Sequence, residues 1–431
     1  MDNRQVAEYL IQTMKEKGAD MGECRVSSNV KTEVYYESGK ISMVRSVLGA
    51  SVGVKVLKDM KKGAIQINSA EKEALDKAVD DALAAAAFAK PDEAEGISDE
   101  VVTASFEKGP KVPDRDALYS AMRTFVDDVK RDYPKISFDS ISTEHVASEV
   151  VYQNTNGVCL TNSNGVNGYG AMFMAVENGK SSSFNYFGET FTDFQQPLIE
   201  RGLARTILSE TERQIETRNL EGKFEGDILI PPNCLDVFLY YLQQNFLSDM
   251  VHIEGTSLWK DALNTVVAVP ELTFACRPRD ERLAANQPFT GDGYIAQNMN
   301  IIENGVLKNF TLSRYGAAKT GKARSANTGG YYVVEPGTKT KEELLASIPK
   351  GLLLNRFSGG SPGTNGDFTG VAKNSFLIEN GKVTDAVSEV MVSGNLATML
   401  KNITGISVET INDGNSILPW IKVSGIVISG K

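Results

Sequence analysis

FLIENGKV, residues Phe376–Val383, decides how this chain reads, because its centre is an Asn-Gly pair between two apolar runs. A two-residue type I′ hairpin turn needs positive φ at both central positions, and Asn-Gly tolerates this better than almost any other pair. The phrase recurs as IIENGVL (301–307), as MAVENGK (174–180) and, with Ser for Asn, as VYYESGK (34–40). Each copy predicts a hairpin tip, and the flanks MNIIE, VLKNFTL, SFLIE and KVTDAV are strand-like. Spacing and flanks differ from copy to copy, so this is a recurring turn and not a repeating module.

Outward from these turns the chain reads as strands in blocks and helices in blocks. Val6, Leu10 and Met14 recur at four-residue steps before Gly18, which predicts an amphipathic first helix with its C-terminal glycine. GECRVSSN, KTEVYYE, KISMVRSV and GASVGVKVL then follow as a meander. Asn68 and Glu71 suggest a capping box opening a second helix through Leu75, Val79 and Leu83, stopped before Pro91. Leu118, Met122, Phe125 and Val129 share one face of a third over 114–131, and a helix-like stretch covers 198–217. The expected class is α+β: an N-terminal two-layer α/β domain with an antiparallel-rich sheet over residues 1–222, then a mainly antiparallel β domain with few helices over 223–431. The boundary falls in the polar EGKFEG (221–226). In the second half one clear helix is expected, LDVFLYYLQQNFLSDM (235–250).

The 431 residues are enough for two cores, and 41% hydrophobic with 23% charged residues describes an ordinary globular protein. A net charge of −10 argues against a broad footprint for nucleic acid or anionic lipid. The polar N-terminus does not resemble a signal peptide, and no apolar run approaches a membrane span, so a cytoplasmic location is expected. Cys24, Cys159, Cys234 and Cys276 stand far apart with no CxxC pair and read as buried free thiols.

Few motifs survive inspection. GAAKTGKA (316–323) has phosphate-loop spacing, but Ala323 stands where a magnesium-binding hydroxyl is needed, and the turn-rich SANTGGYYVVEPG follows in place of a helix. SGGSPGTNGDFTG (358–370) lacks the strand–GxGxxG–helix order of a dinucleotide site; its Gly359, Gly360, Gly363 and Gly366 suit either a connector or an extended loop whose backbone lies close to another chain or a ligand. Only His145 and His252 exist, which excludes any multi-histidine metal site within one chain. His145 lies among strand residues and reads as a sheet histidine. His252, alternating with Glu254, is a candidate polar site, weighed against a purely structural role.

YYESGKISMVRSVLGASVGVKVL (35–57), YQNTNGV (152–158), FTLSRYGAAKTGKARSANTGG (310–330), PGTKTKEELLASIPKGLLL (336–354), SGGSPGTNGDFTGVAKNSFLIENGK (358–382) and MVSGNLATMLKNI (391–403) together resemble the TldD/PmbA family, also called modulators of DNA gyrase. Order and spacing carry the resemblance over nearly the whole chain. It implies a zinc peptidase in the TldD branch, with two histidines from an HExxxH helix and a cysteine near the C-terminus as ligands. This chain departs from that pattern throughout. Its corresponding helix offers Gln243, Gln244 and Asn245, and its last cysteine is Cys276. The departure points to the PmbA branch, also called TldE, with no catalytic, cofactor or metal residue carried over.

The resemblance then implies a heterodimer with a TldD-like HExxxH homologue that carries the zinc, this chain forming part of the wall around an unfolded peptide, with Gly359, Gly360, Gly363 and Gly366 as candidate cavity-lining, peptide-binding positions. The isolated chain could instead pair with itself. A different class, a self-contained homo-oligomeric peptide- or protein-binding regulator without peptidase activity, stays open at this point. Direct action on DNA is disfavoured by the charge, and an independent hydrolase by the lack of a convergent nucleophile and base.

Overall fold

The computed structural model describes residues 1–388 and 390–430. All four quoted turns have positive φ at both centres: 51° and 81° at Ser38-Gly39, 50° and 77° at Asn178-Gly179, 48° and 79° at Asn304-Gly305, 49° and 73° at Asn380-Gly381. Each joins two antiparallel strands directly, as in Glu37 opposite Lys40 and Glu379 opposite Lys382.

The first sheet contains β1 (Met21–Glu37), β2 (Lys40–Lys58), β3 (Lys61–Ile67), β4 (Thr103–Lys108), β5 (Ile136–Asn154), β6 (Cys159–Glu177), β7 (Lys180–Ser181) and β8 (Asn185–Phe191). Its order is β3-β2-β1-β5-β6-β4, with β7 and β8 also on β6; only β4 runs parallel to its neighbour. Alternation along the long strands puts Cys24, Val26, Val54 and Val151 on one face, where α1 (Asn3–Glu16) lays Val6, Leu10 and Met14 and α2 (Lys72–Phe88) lays Leu75 and Val79. Further along the same strands Val34, Ile141, Tyr169 and Phe173 meet Leu118, Met122 and Phe125 of α3 (Arg115–Asp132) and Leu208 of α4 (Ala204–Arg213). Each such side chain taken from water stabilises the fold by about 1.5–3 kcal/mol.

The second sheet is built on the strand Ile417–Ser429, which pairs antiparallel with Lys223–Ile230, Val390–Asn395 and Ile403–Asn412. It is mainly antiparallel, with parallel pairs such as Asp227–Leu229 beside Gly351–Leu353. The short strand Arg218–Asn219 also belongs to it. The helices of this half are α5 (Pro232–Leu242), α6 (Asp249–Ile253), α7 (Arg314–Thr320), α8 (Lys341–Ala346) and α9 (Leu396–Lys401). The architecture is thus the α+β arrangement expected.

Local details differ. α2 begins at Lys72 with Glu71 as a cap that makes no side-chain bond, so Asn68 opens nothing. The stretch 198–217 divides into a 3₁₀ turn, Leu198–Glu200, and α4, because Gly202 takes φ 47° between them. The single helix expected over 235–250 is broken. α5 widens into a π turn, Gln243–Leu247, and Ser248 is extended at φ −79°, ψ 163°, because the Leu247 carbonyl accepts from the Thr311 N–H at 3.0 Å instead of continuing the helix. Among the described residues no helix is long and apolar enough to cross a membrane.

Candidate functional site

α5 positions the site. It starts on Pro231-Pro232, whose fixed φ suits a first helical turn. Leu235, Phe238, Leu239 and Leu242 go down onto the second sheet, which leaves Asn233, Asp236, Tyr240 and Gln244 on the exposed side at steps of three and four. At the π turn Gln243 points inward: its Nε2 donates to the Thr328 carbonyl at 3.2 Å, and its Oε1 accepts from the Gly330 N–H at 3.3 Å and from the Tyr332 hydroxyl. Asn245 Nδ2 donates to the Tyr241 carbonyl at 2.9 Å. Two of the three polar residues singled out on this helix are therefore structural ties, and only Gln244 faces outward.

Beside that exposed side, where the two sheets meet, lies a cleft of about 210 Å³ bounded by β8, the start of α5, Arg356 and Asp413. The junction is hydrogen-bonded, with Thr190 N–H donating to the Asp413 carbonyl at 2.9 Å and Asn415 Nδ2 to Thr190 Oγ1 at 3.2 Å. Arg356 stacks over the Tyr186 ring at 4.3 Å. Glu189 lines the cleft, and burial pushes its carboxyl up to about 7, against a smaller opposing pull from Arg201. Asp413 is held by the N–H groups of Asn415 and Ser416 at 2.8 and 2.7 Å. Behind the wall Glu210 is also pushed up to about 7 by burial, and its Oε2 accepts from Asn355 Nδ2 at 2.7 Å. These three acids come from separate segments, and nothing in their local sequence marks them.

The candidates named from sequence fare differently. His252 is buried on α6; its Nε2 lies 3.0 Å from the Phe246 carbonyl, its ring sits 4.1 Å from the Phe310 ring, and burial lowers its pKa, which keeps it neutral. Glu254 is exposed beyond the end of α6, so two residues that would share a face in a strand diverge on a helix and form no joint site. His145 is buried in β5 with Nε2 2.9 Å from the Pro110 carbonyl. The glycine stretch is the loop between Arg356–Ser358 and Asp367–Lys373. There Gly359, Gly360 and Gly366 have positive φ and Gly363 does not, and Gly366 packs on Phe246 of the π turn. The first five residues of GAAKTGKA lie in α7, which Gly321 ends at φ 67°.

Zinc, implied by the family resemblance, finds no donor set here. Among the described residues no three His, Cys, Asp or Glu side chains converge to hold a metal. Cys24, Cys234 and Cys276 are buried, and burial pushes each thiol up to about 12. The outward positions of α5 and the π turn are Asn233, Asp236, Tyr240 and Gln244, and of these only Asp236 is of a type that binds zinc.

Comparison with known proteins agrees with this architecture. Residues 223–430 match the PmbA/TldA metallopeptidase C-terminal domain, and residues 22–86 match PmbA/TldA metallopeptidase domain 1. The chain is 24% identical over 460 residues to the Metalloprotease PmbA homolog of Haemophilus influenzae, covering 98% of this chain and 96% of the relative. It is 24% identical over 445 residues to Metalloprotease PmbA of Escherichia coli O157:H7, covering 98% and 97%. TldE from Thermococcus kodakarensis has the same fold, with a TM-score of 0.81 at 20% identity over 99% of this chain and 100% of that one. With two of the family's domain models matched in order and the relatives covered over nearly their whole length, this chain belongs to the PmbA/TldD metallopeptidase family.

Proposed function

We propose that this chain is the companion subunit of a TldD/TldE-type metallopeptidase, the partner carrying the zinc and this chain walling the cavity that holds an unfolded peptide. The observation that carries the reading is the exposed side of α5 and the π turn, which borders an open polar cleft through Asn233 and Asp236 and carries Tyr240 and Gln244 beyond it, with Asp236 the one metal-ligand type and no histidine. The three-residue strand Arg356–Ser358 borders that cleft and pairs on one side only, with Val371–Lys373. Its free edge suits an extended peptide, which main-chain hydrogen bonds hold with little sequence preference. The glycine loop 359–366 leads directly on from this strand, outside the residues that line the cleft, and in this reading extends the wall toward the partner.

The purified chain alone is expected to hold no stoichiometric zinc and to leave unfolded peptides intact. Mixed with an HExxxH homologue from its own host, it should co-elute with that homologue and raise peptide cleavage that chelators abolish. About one tightly held zinc per chain, or cleavage by the chain alone, would refute the reading.

A further inference from the structure

The face of the first sheet turned away from the helices carries a second site. Arg25 of β1 stands opposite Tyr152 of β5, next to Val150 and Ser148 on the same face, with Asn162 and Asn164 across on β6. The segment around Phe289 covers them, leaving a cavity of about 220 Å³. Arg25 is half-buried and makes no ion pair among the described residues. Its Nη1 is buried and has no hydrogen-bond partner, and the guanidinium rests over the Phe289 ring at 5.6 Å. The nearest acid on the strand, Glu23, is engaged by the Tyr152 hydroxyl at 2.7 Å and by Lys55 at 3.5 Å. Burial is what lowers the Arg25 pKa, with no carboxylate opposing it.

An arginine stays charged, and a half-buried charge with one buried nitrogen unpartnered favours an occupant that supplies the opposite charge. The rest of the lining is neutral: amides, Ser148, Tyr331 and apolar groups, without a single acid. Asn162 Oδ1 and Asn164 Oδ1 are likewise buried and unpartnered, acceptors beside the cation. Tyr331 takes φ 53° at the rim, a strained conformation for an aromatic residue, and donates its hydroxyl to the Asn286 carbonyl at 3.2 Å.

We infer that this cavity binds a monovalent carboxylate bearing an N–H donor close by, the chemistry of a peptide C-terminus or a free α-amino acid: the carboxylate sits on Arg25 and the N–H groups reach Asn162 and Asn164. One guanidinium among neutral amides matches a single negative charge and not a phosphate dianion. The site lies on this chain alone and does not depend on the companion role.

Calorimetric titration of the full chain, with any partner that co-purifies, tests the assignment using triglycine, triglycinamide, glycine and inorganic phosphate. Triglycine is expected to saturate, and triglycinamide to bind roughly tenfold weaker or worse. Glycine binding as well as triglycine identifies the free amino acid as the source, and triglycine alone identifies the peptide end. Arg25→Met should lose binding by about tenfold or more. If that variant does not fold, Asn164→Asp, which places a like charge beside the carboxylate, should show the same loss. Equal binding of acid and amide, preference for phosphate, unchanged binding in a folded variant, or no saturation by glycine or triglycine across the millimolar range overturns the inference.

Discussion

Glu210 shows how a single buried acid couples the cleft to pH. Its carboxyl is pushed up to about 7 by burial, and Lys341 and Arg213 only partly offset this. In the unfolded chain a glutamate releases its proton near pH ~4.3. Between the two values the folded state binds more protons than the unfolded one, so stability falls as pH rises from about 4 to 7 and stays reduced above that. Glu210→Gln keeps the acceptor for Asn355 and removes the ionisation. The variant should therefore be more stable than the parent by roughly 1–3 kcal/mol at pH 8, with the gain shrinking toward pH 5. Thermal melts at the two pH values check this; an equal gain at both, or a loss at pH 8, contradicts a raised carboxyl.

At the scale of elements, the glycine loop and the π turn belong together. A side chain at Gly360 would put its Cβ 1.8 Å from the Thr369 carbonyl, at a φ of 62°. Gly360→Val should accordingly destabilise the hairpin by about 1–3 kcal/mol or more and says nothing about peptide binding. Gly363 is exposed, has no positive φ and meets only Asn365 Oδ1, at 3.0 Å. Gly363→Val should leave the melting temperature and pairing intact while lowering peptide cleavage by the reconstituted pair. Wild-type cleavage in that variant would make the loop a connector. The π turn has its own cause: the wider turn aims Gln243 at the Ala326–Tyr332 segment, and a Cβ on Gly329 would strike its amide at 2.2 Å.

Over the whole molecule the two sheets are joined by polar contacts at several places, with Arg314 Nη1 donating to the Ala94 carbonyl at 3.0 Å, Tyr294 to Asp99 at 3.0 Å and Gln214 Nε2 to the Ser375 carbonyl at 2.9 Å. Tyr152, Val158, Leu160 and Phe289 add a small apolar core across the same junction. We propose the domain boundary at 222/223, where Gly222 is exposed at φ 74°. Limited proteolysis should cut there first and leave two fragments that stay together until denatured. Stable fragments split far from this position would move the boundary.

The hairpin tips were legible in the sequence because a type I′ turn is a local demand on two residues, and Asn178, Asn304 and Asn380 meet it without help from the rest of the chain. The faces of α1 and α3 were legible for the same reason, since their burial follows a 3.6-residue period. Tertiary structure alone broke the helix expected over 235–250, because Thr311 takes the Leu247 carbonyl from 64 residues away. It also separated His252 from Glu254, and it alone assembled Glu189, Asp236 and Asp413 into one cleft and set Arg25 beneath Phe289. Those sites depend on which segments the two sheets bring together, and desolvation of a charge is a property of the packed neighbourhood that no local pattern of residues encodes.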